Sequence, residues 1–306
     1  MDGILVANKP AGPTSHDVVA LVRRLAATKR VGHGGTLDPF ASGVLPLFLG
    51  RATRVVEYHL GDRKGYLATV CFGASSTTDD LEGELTPAEG PAPTRGAVEA
   101  ALPALTGAIS QRPPAYSAIK VAGRRAYAMA RAGETVELAA REVTIDRLEL
   151  VDWDESEPGR PIARIDVACS AGTYIRALAR DLGEALGNSA YLGALTRTAS
   201  GPFRLEEAIP LDAVREAAAA GPGRLAALLL PIDAGLEAMA EHVASATEAV
   251  AISRGQFVRG TPPGADEGDP VRVRDAGGRL IAIAVVRDGR LAPDKVLVDA
   301  GAGPRP

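Results

Sequence analysis

The chain has 306 residues, of which 46% are hydrophobic and 24% are charged, and its formal net charge is −4. This composition excludes wholesale disorder, and the length predicts about two domains. No apolar run approaches the ~20 residues that cross a bilayer, no secretory signal opens the chain, and two cysteines are too few for a disulfide framework. We therefore expect a cytoplasmic protein that contacts no membrane.

The first half of the chain predicts short strands alternating with helices and loops. Thr14 or Ser15 can cap a helix, and Pro113 with Pro114 prevents one. The predicted elements are a strand over 4–7, a turn over 9–13, a helix that includes Val18, Leu21, Val22 and Leu25, a strand over 66–72, a loop over 86–95, a helix over 97–105, an extended loop over 112–117 and a helix-prone stretch over 124–131.

The second half continues this pattern and then changes to short strands separated by turns. The predicted elements are a strand over 162–169, a turn over 170–173, a helix with Ile175, Leu178, Ala179, Leu182 and Leu186 on one face and Gly187 as its stop, a helical connection over 213–230, and short strands over 271–274, 280–286 and 296–298. The change near Glu241 predicts a separate all-β domain of roughly 65 residues.

Asp38 lies in the run 34–43, Gly-Gly-Thr-Leu-Asp-Pro-Phe-Ala-Ser-Gly, directly after His33. A residue before proline is biased toward extended backbone, and the flanking glycines permit close approach. A carboxylate restricted in this way, beside a histidine and an apolar run, is presented for contact with another group. The alternative is a solvated turn, since Asp and Gly are ordinary turn residues.

Arg176 lies in the first turn of the helix predicted after residue 173. A cation there opposes the helix dipole, which leaves two interpretations. Arg176 pairs with a surface acid, as we expect of Arg180 with Glu184, or it faces a buried anion, with Asp38 as the candidate partner. Because an adjacent arginine keeps a carboxylate ionised, and a nucleophilic carboxylate must be ionised, the second pairing would serve catalysis.

The charges are unevenly distributed along the chain. Acids concentrate near 79–84 and 152–155, whereas the stretch 100–133 contains bases and no acid. Those bases are Arg112, Lys120, Arg124, Arg125 and Arg131. Such a patch suits contact with a phosphate backbone, although a solvated helix face gives the same pattern.

Motifs for nucleotides, cofactors and metals do not emerge. The run 32–35, Gly-His-Gly-Gly, lacks the order of a phosphate loop, and no dinucleotide-binding glycine motif opens a helix after a strand. The four histidines do not cluster like metal ligands. We therefore expect neither a cofactor nor a metal.

A set of collinear segments resembles the TruB-type tRNA pseudouridine synthases, the family that isomerises uridine 55 in the T-loop of tRNA. Their order is more specific than any one motif, and the match spans most of residues 3–205, with a weaker match beyond. The segments are Lys9-Pro10 with Gly12 and Thr14-Ser15; the run 32–43; Gly50-Arg51-Ala52-Thr53; Lys64 with Tyr66; Tyr116-Ser117-Ala118-Ile119-Lys120; Gly172-Thr173-Tyr174-Ile175-Arg176; and Leu195 with Arg197-Thr198.

The resemblance implies an α+β fold in two domains. The first, residues 1–240, is a catalytic domain on a mixed, mostly antiparallel sheet with flanking helices and an RNA-clamping insertion over about 108–133. The second, residues 241–306, is a small PUA-like β-barrel that binds RNA. The implied partner is tRNA, through its T-loop and acceptor arm, with no cofactor and no obligate protein partner. The implied isomerisation is redox-neutral and consumes neither water nor a nucleotide.

The resemblance also implies roles for individual residues. Asp38 matches the catalytic aspartate, and Arg176 matches the arginine that pairs with it. Tyr66 matches the tyrosine that stacks on the target base and has been proposed to take the proton of carbon 5. His33 matches the histidine that fills the space of the flipped base. The remaining matches are Tyr174 and Leu195 in the uridine pocket, Lys9 near the active site, and Tyr116, Lys120, Arg124 and Arg125 in the RNA clamp.

The chain departs from the family pattern at Gly65, Thr77, Tyr191 and Thr196, where we expect altered RNA affinity rather than lost chemistry. Three other functions fit part of the sequence. A non-catalytic RNA-binding or tRNA-folding protein needs no aspartate opposed by arginine, although tRNA folding can accompany catalysis. A glycosidase needs a second carboxylate, and none stands out. A guide-RNA-dependent synthase subunit relies on partner proteins, whereas this chain carries its own clamp.

Overall fold

The computed structural model of the chain describes residues 1–117, 119–121, 123–132, 134 and 138–299, with backbone only for 120, 121, 125, 128, 130 and 131. The strands are β1 Gly3–Lys9, β2 Val31–His33, β3 Ser42–Leu49, β4 Lys64–Phe72, β5 Ala74–Ser76, β6 Leu85–Pro87, β7 Gly107–Gln111, β8 Lys120–Val121, β9 Arg124–Arg125, β10 Arg141–Asp154, β11 Ile162–Cys169, β12 Ala190–Ser200, β13 Phe203–Arg204, β14 Ile209–Pro210, β15 Ala240–Ala244, β16 Val258–Arg259, β17 Pro270–Asp275, β18 Leu280–Arg287 and β19 Arg290–Val296.

The helices lie between these strands. The α-helices are α1 Ser15–Leu25, α2 Glu57–Leu60, α3 Arg95–Ala101, α4 Ala126–Arg131, α5 Ile175–Ala185, α6 Leu211–Ala219, α7 Pro222–Ala226 and α8 Ala246–Ser253. Short 3-10 helices cover Gly50–Arg54, Leu102–Leu105 and Leu205–Glu207. Within the described part of the chain, no helix is long and apolar enough to span a membrane.

One large sheet forms the scaffold of the first two thirds of the chain. Among the described residues it has ten strands in the order β14-β1-β3-β12-β4-β11-β10-β7, with β2 beside β3 and β13 beside β12. β14 runs parallel to β1 and β12 runs parallel to β3, and the other neighbours are antiparallel. The expected α+β fold, with a mixed, mostly antiparallel sheet and flanking helices, is confirmed.

Strands β4 and β11 and helix α5 build the core beside the Asp38 loop. Alternate residues of both strands are buried, as their apolar alternation predicts. Their buried side chains form one cluster with the apolar stripe of α5, and Leu37 and Ala41 belong to the same cluster. The packing of α5 therefore brings its first turn close to the loop that carries Asp38.

Helix α1 is joined to the same loop at its first residue. Thr14 caps the helix in a capping box with Asp17, so the expected cap is confirmed. The hydroxyl of Ser15 donates to the carbonyl of Leu37 at 3.1 Å and accepts from its amide at 2.9 Å. The start of α1 thus holds the residue that precedes Asp38.

A second sheet occupies the C-terminal part. Among the described residues it has five strands in the order β15-β17-β18-β19-β16, in which β15 and β17 are parallel and the other neighbours antiparallel. Helix α8 packs on it in a core of its own. A further cluster joins the two sheets, because Leu280, Ile283 and Leu297 pack with Ile4 and Phe48.

Some boundaries differ from the sequence predictions. The strand predicted over 296–298 is wrong, since β19 ends at Val296 and the next two residues are buried outside the strand. The loop predicted over 86–95 includes the end of β6. The helix predicted over 97–105 becomes a 3-10 helix after Ala101, where Pro103 follows. Gly221, at φ +113°, divides the connection predicted over 213–230 into α6 and α7.

Candidate active site

Asp38 and Arg176 meet at the centre of the candidate site. Arg176 Nε lies 3.0 Å from Asp38 Oδ2, and Nη2 donates a hydrogen bond to Oδ1 at 3.5 Å. The arginine is the second residue of α5 and is held there by burial, although its charge opposes the helix dipole. Its side chain is 7% exposed, whereas that of Asp38 is 36% exposed. Asp38 is therefore the member of the pair that a ligand can reach.

A second carboxylate, that of Asp80, shares the same arginine. Arg176 Nη1 lies 3.3 Å from Asp80 Oδ2 and donates to the carbonyl of Thr78 at 3.1 Å. Asp80 Oδ1 accepts from the Thr78 hydroxyl at 2.5 Å and from the Glu82 amide at 3.0 Å. Sequence reasoning placed Asp80 only in an acidic run, because no local pattern signals a partner so distant along the chain.

The preceding Asp79 pairs with Arg180, one turn further along α5, at 2.8 Å. Asp79 has a left-handed backbone (φ +61°), so two successive carboxylates reach two arginines spaced four residues apart. Arg180 also contacts Asp181 at 2.7 Å, whereas Glu184 lies 3.9 Å away. The predicted Arg180–Glu184 pair is therefore the weakest contact of this arginine.

The pKa of the Asp38 carboxyl is raised by several opposing influences. Burial raises this pKa most, Arg176 lowers it, and the charge of Asp80 raises it again. The net direction is upward despite the adjacent arginine. Arg176 therefore favours the ionised form of Asp38 against the burial that opposes it.

Lys9 stabilises the backbone around the Asp38 loop. Its ammonium donates to the carbonyls of Pro10 at 2.9 Å, Pro39 at 3.1 Å and Ala41 at 2.7 Å. The side chain is fully buried, and burial lowers its pKa to about 8. Since its three hydrogen bonds all go to backbone carbonyls within the chain, Lys9 joins the backbone that directly follows Asp38 to the turn after β1.

Tyr66 lies on β4 opposite Arg197 on β12. Burial raises the pKa of the tyrosine hydroxyl, and the charge of Arg197 opposes this. Arg197 is 1% exposed, and it donates to the carbonyls of Val44 at 2.7 Å and Gly35 at 3.2 Å. Arg197 thus ties Tyr66 to the Asp38 loop, a role that the sequence did not assign because it depends on strand register.

His33 lies at the entrance to the loop. Its Nδ1 accepts from the Gly35 amide at 3.3 Å, and its ring meets that of His16 edge to face with centroids 5.5 Å apart. Burial is the main cause of the lowered pKa of His33. Its imidazole is therefore neutral at physiological pH.

Tyr174 and Leu195 reach the site region from different elements. Tyr174 directly precedes α5, and the Arg141 guanidinium lies 4.8 Å from its ring centroid. Leu195, on β12, is 7% exposed and belongs to the cluster that contains Tyr66 and Leu37. Tyr174 thus adjoins the helix that carries Arg176, and Leu195 lies on the strand that carries Arg197.

The residues expected in the RNA clamp divide into two groups. The carbonyl of Tyr116 accepts from Arg176 Nη2 at 3.0 Å, so this residue is brought to the site. Arg124 lies apart, exposed and paired with Glu134 at 2.6 Å. The side chains of Lys120 and Arg125 lie outside the described residues. In the described part, no group of three or more His, Cys, Asp or Glu residues could hold a metal ion.

Two family models match consecutive parts of the chain. The model of the TruB family pseudouridylate synthase N-terminal domain matches residues 23–175, and that of the tRNA pseudouridylate synthase B C-terminal domain matches residues 176–237. The chain belongs to the TruB family of pseudouridylate synthases. All the candidate site residues except Lys9 lie within the matched ranges.

TruB relatives match over nearly the full length. The tRNA pseudouridine synthase B of Bradyrhizobium diazoefficiens is 46% identical over 299 residues, covering 96% of this chain and 85% of the relative. That of an Arthrobacter species is 44% identical over 316 residues, covering 100% and 99%. A chain from the crystal structure of a Cbf5-Nop10-Gar1 complex superposes with a TM-score of 0.74 at 26% identity, covering 97% and 85%.

Proposed function

We propose that this protein converts uridine 55 in the T-loop of tRNA to pseudouridine. The observation that carries the proposal is the Asp38–Arg176 pair, 3.0 Å apart beside buried Tyr66, in a TruB-family chain. The reaction breaks the bond from sugar carbon 1′ to N1 of the base and joins the same sugar carbon to base carbon 5. The proton of carbon 5 is lost and N1 gains one, so no oxidant or reductant is needed.

The target base must leave the folded loop before its carbons can be reached. Extrusion costs a few kcal/mol, and stacking on an aromatic side chain offsets it. Tyr66 stacks on the extruded base, Tyr174 and Leu195 line its pocket, and neutral His33 fills the vacated space. The hydrogen bond between His33 and Gly35, and the burial of Tyr66 in one cluster with Leu37, support this division of roles.

Asp38 acts in its ionised form. It attacks sugar carbon 1′, attacks carbon 6 of the base, or promotes elimination to a glycal, and the three routes share the need for a reachable carboxylate. Arg176 holds that carboxylate but divides its charge between Asp38 and Asp80. A partly compensated carboxylate is a stronger nucleophile than one fully neutralised by its own arginine.

The environment of Tyr66 favours stacking over proton removal. Burial raises the pKa of its hydroxyl, so the side chain is a neutral phenol at physiological pH. A phenol in this state does not accept the proton of carbon 5 directly.

The second carboxylate does not support a glycosidase. A glycosidase needs two carboxyl groups that both reach the sugar. Asp80 is 3% exposed, and both of its oxygens are engaged, by Arg176, Thr78 and Glu82. Only Asp38 of the two is open to a substrate.

We propose two RNA-binding regions around this site. The insertion 108–133 clamps the T-loop, with the Tyr116 carbonyl held by Arg176 and the exposed Arg124 available to phosphates after exchange of Glu134. Residues 241–306 form a PUA-like barrel that contacts the acceptor arm, and residues 1–240 form the catalytic domain. The C-terminal sheet consists of short strands with one helix packed on it, which supports the assignment of a separate RNA-binding domain.

The test is incubation of the purified protein with an unmodified tRNA transcript and no cofactor. Pseudouridine is mapped by carbodiimide adducts and primer-extension stops. We expect one new stop at the T-loop uridine, and none with Asp38→Asn, which should still bind tRNA. Turnover of Asp38→Asn at the wild-type rate would sink the assignment of the nucleophile. Binding without any stop would favour an RNA-binding protein or a partner-dependent synthase.

A further inference from the structure

Gln111 makes an unusual contact at the edge of the large sheet. It is the last residue of β7, and its side chain is completely buried. Its Nε2 donates to the carbonyl of Tyr174 at 3.0 Å, and its Oε1 accepts from the Tyr174 amide at 2.9 Å. The side-chain amide therefore acts as an extra peptide unit that pairs with both backbone groups of a single residue.

That residue marks the start of the helix that carries Arg176. Tyr174 is the N-cap of α5, and its own side chain makes no capping hydrogen bond. The usual cap, a Ser, Thr, Asp or Asn side chain, is missing. Gln111 therefore fixes the backbone from which α5 departs, two residues before Arg176.

Helix α5 returns two hydrogen bonds to the residues that follow Gln111. Arg180 Nη2 donates to the carbonyl of Arg112 at 2.8 Å, and Arg176 Nη2 donates to the carbonyl of Tyr116 at 3.0 Å. We call residues 111–117, which lie in the first part of the insertion, the basal arm. Four hydrogen bonds thus fasten the basal arm to the first turns of α5.

We propose that Gln111 is a positioning residue that couples the basal arm to the Asp38–Arg176 pair. The guanidinium of Arg176 divides its donors among Asp38, Asp80 with Thr78, and Tyr116. If the basal arm moves away, Arg176 loses the Tyr116 carbonyl as an acceptor, and its guanidinium can rotate away from the Asp38 carboxylate. The contacts that hold the basal arm on α5 therefore also align Arg176 with Asp38. This inference rests on the proposed isomerisation.

The test variant is Gln111→Met, which keeps the length of the side chain and removes both hydrogen bonds. The matched control is Asn188→Leu, just beyond the other end of α5. Asn188 is also a buried amide that bridges two segments, accepting from the Gly73 amide at 3.0 Å and donating to the Pro91 carbonyl at 2.9 Å. Both variants lose a buried bridge of similar kind, and only the first touches the basal arm.

Single-turnover rates are measured with enzyme in excess over tRNA, at a temperature where both variants are folded. We expect Gln111→Met to lower the rate about 10- to 100-fold, the cost of a small misplacement at a reacting group. The dissociation constant for tRNA should change much less than the rate. Asn188→Leu should keep the wild-type rate even if its melting temperature falls as far.

Gln111→Glu provides a rescue that a purely structural role would not produce. A carboxylate accepts from the Tyr174 amide but cannot donate to its carbonyl, whereas a protonated carboxyl can do both. A buried carboxyl protonates above its usual range. The ratio of the variant rate to the wild-type rate should therefore rise as the pH falls.

Limited trypsin digestion without RNA tests the anchor independently of activity. Gln111→Met should be cut faster than wild type within residues 112–134, and Asn188→Leu should not. A wild-type protein that forms no pseudouridine contradicts the proposed function, whereas faster digestion of Gln111→Met would still support the anchor. If wild type forms product and Gln111→Met keeps the wild-type rate, the positioning role of Gln111 is wrong and the proposed function stands. The same conclusion follows if Asn188→Leu loses as much of its rate as Gln111→Met.

Discussion

Two clusters of carboxylates and arginines in this chain differ in their charge balance. At the candidate site, Arg176 is shared by Asp38 and Asp80, at 3.0 and 3.3 Å. Before and within the C-terminal sheet, Asp233 lies between Arg272, at 3.4 Å, and Arg274. The first cluster has one cation for two anions, and the second has two cations around its central anion.

Exposure differs in the same sense. The central Asp233 side chain is 6% exposed, and the more exposed Glu241 supplies a second acid to Arg274 at 2.9 Å, so the two cations of this cluster are matched by two acids. At the site, the excess acid stays on Asp38, which is 36% exposed and has a raised pKa. A cluster that joins segments balances its charges, whereas the candidate site leaves one carboxylate incompletely compensated and accessible.

The largest effect should come from Arg176→Met, which removes the cation that both site carboxylates share. We expect the single-turnover rate to fall by at least about 100-fold, as when other preorganised electrostatic groups are removed. Buried Asp80 is left uncompensated, so the free energy of unfolding should also fall by about 3–5 kcal/mol. Urea denaturation measures the change in stability, and single-turnover assays measure the change in rate. A variant with the wild-type rate would show that the shared arginine is not needed for the reaction.

Asp233→Asn should affect stability and spare the rate. Arg272 and Arg274 lose their central anion and keep Glu241 and backbone carbonyls as acceptors. We expect a loss of about 3 kcal/mol in the free energy of unfolding, the lower end for a broken buried pair. The rate of the folded variant should equal that of wild type. A rate loss like that of Arg176→Met would show that the two clusters are not functionally separate.

The smallest effect should be a pH shift in Asp80→Asn. The charge of Asp80 raises the pKa of Asp38, so removing that charge lowers it. Since Asp38 acts when ionised, the rate rises with pH through this pKa, and the acid limb of the profile should move to lower pH. Asp79→Asn is the control, because Asp79 pairs with Arg180 and should leave the limb in place. A limb that moves upward in Asp80→Asn contradicts the charge-balance argument.

Regular patterns account for the elements that the sequence predicted correctly. The alternation over 162–169 gives the bounds of β11, and the apolar stripe from Ile175 gives the start of α5. Strands β10 and β12 were not predicted, because β10 is rich in charge and β12 contains Gly193 and two irregularities in its pairing with β4.

The candidate site shows the same limit. Asp38, Tyr66 and Arg176 were found through local motifs and family resemblance, and their proposed roles still await the tests above. Asp80, Arg197 and Gln111 were not assigned a role. Each acts through a partner that strand register or loop packing brings close, such as Tyr66 opposite Arg197. The residues next to each of them in the sequence do not indicate which partner that is.

The cluster that joins the two sheets links the first residues of the chain to nearly the last. Ile4 and Phe48 leave the ribosome early, whereas Leu280, Ile283 and Leu297, which cover them, are synthesised at the end. Until then the part of the β1 and β3 face that these residues cover is an exposed apolar surface, and exposed surface of this kind associates with chaperones or with other nascent chains. A product terminated before residue 280 would carry every candidate site residue and still lack part of the apolar surface that covers its first sheet.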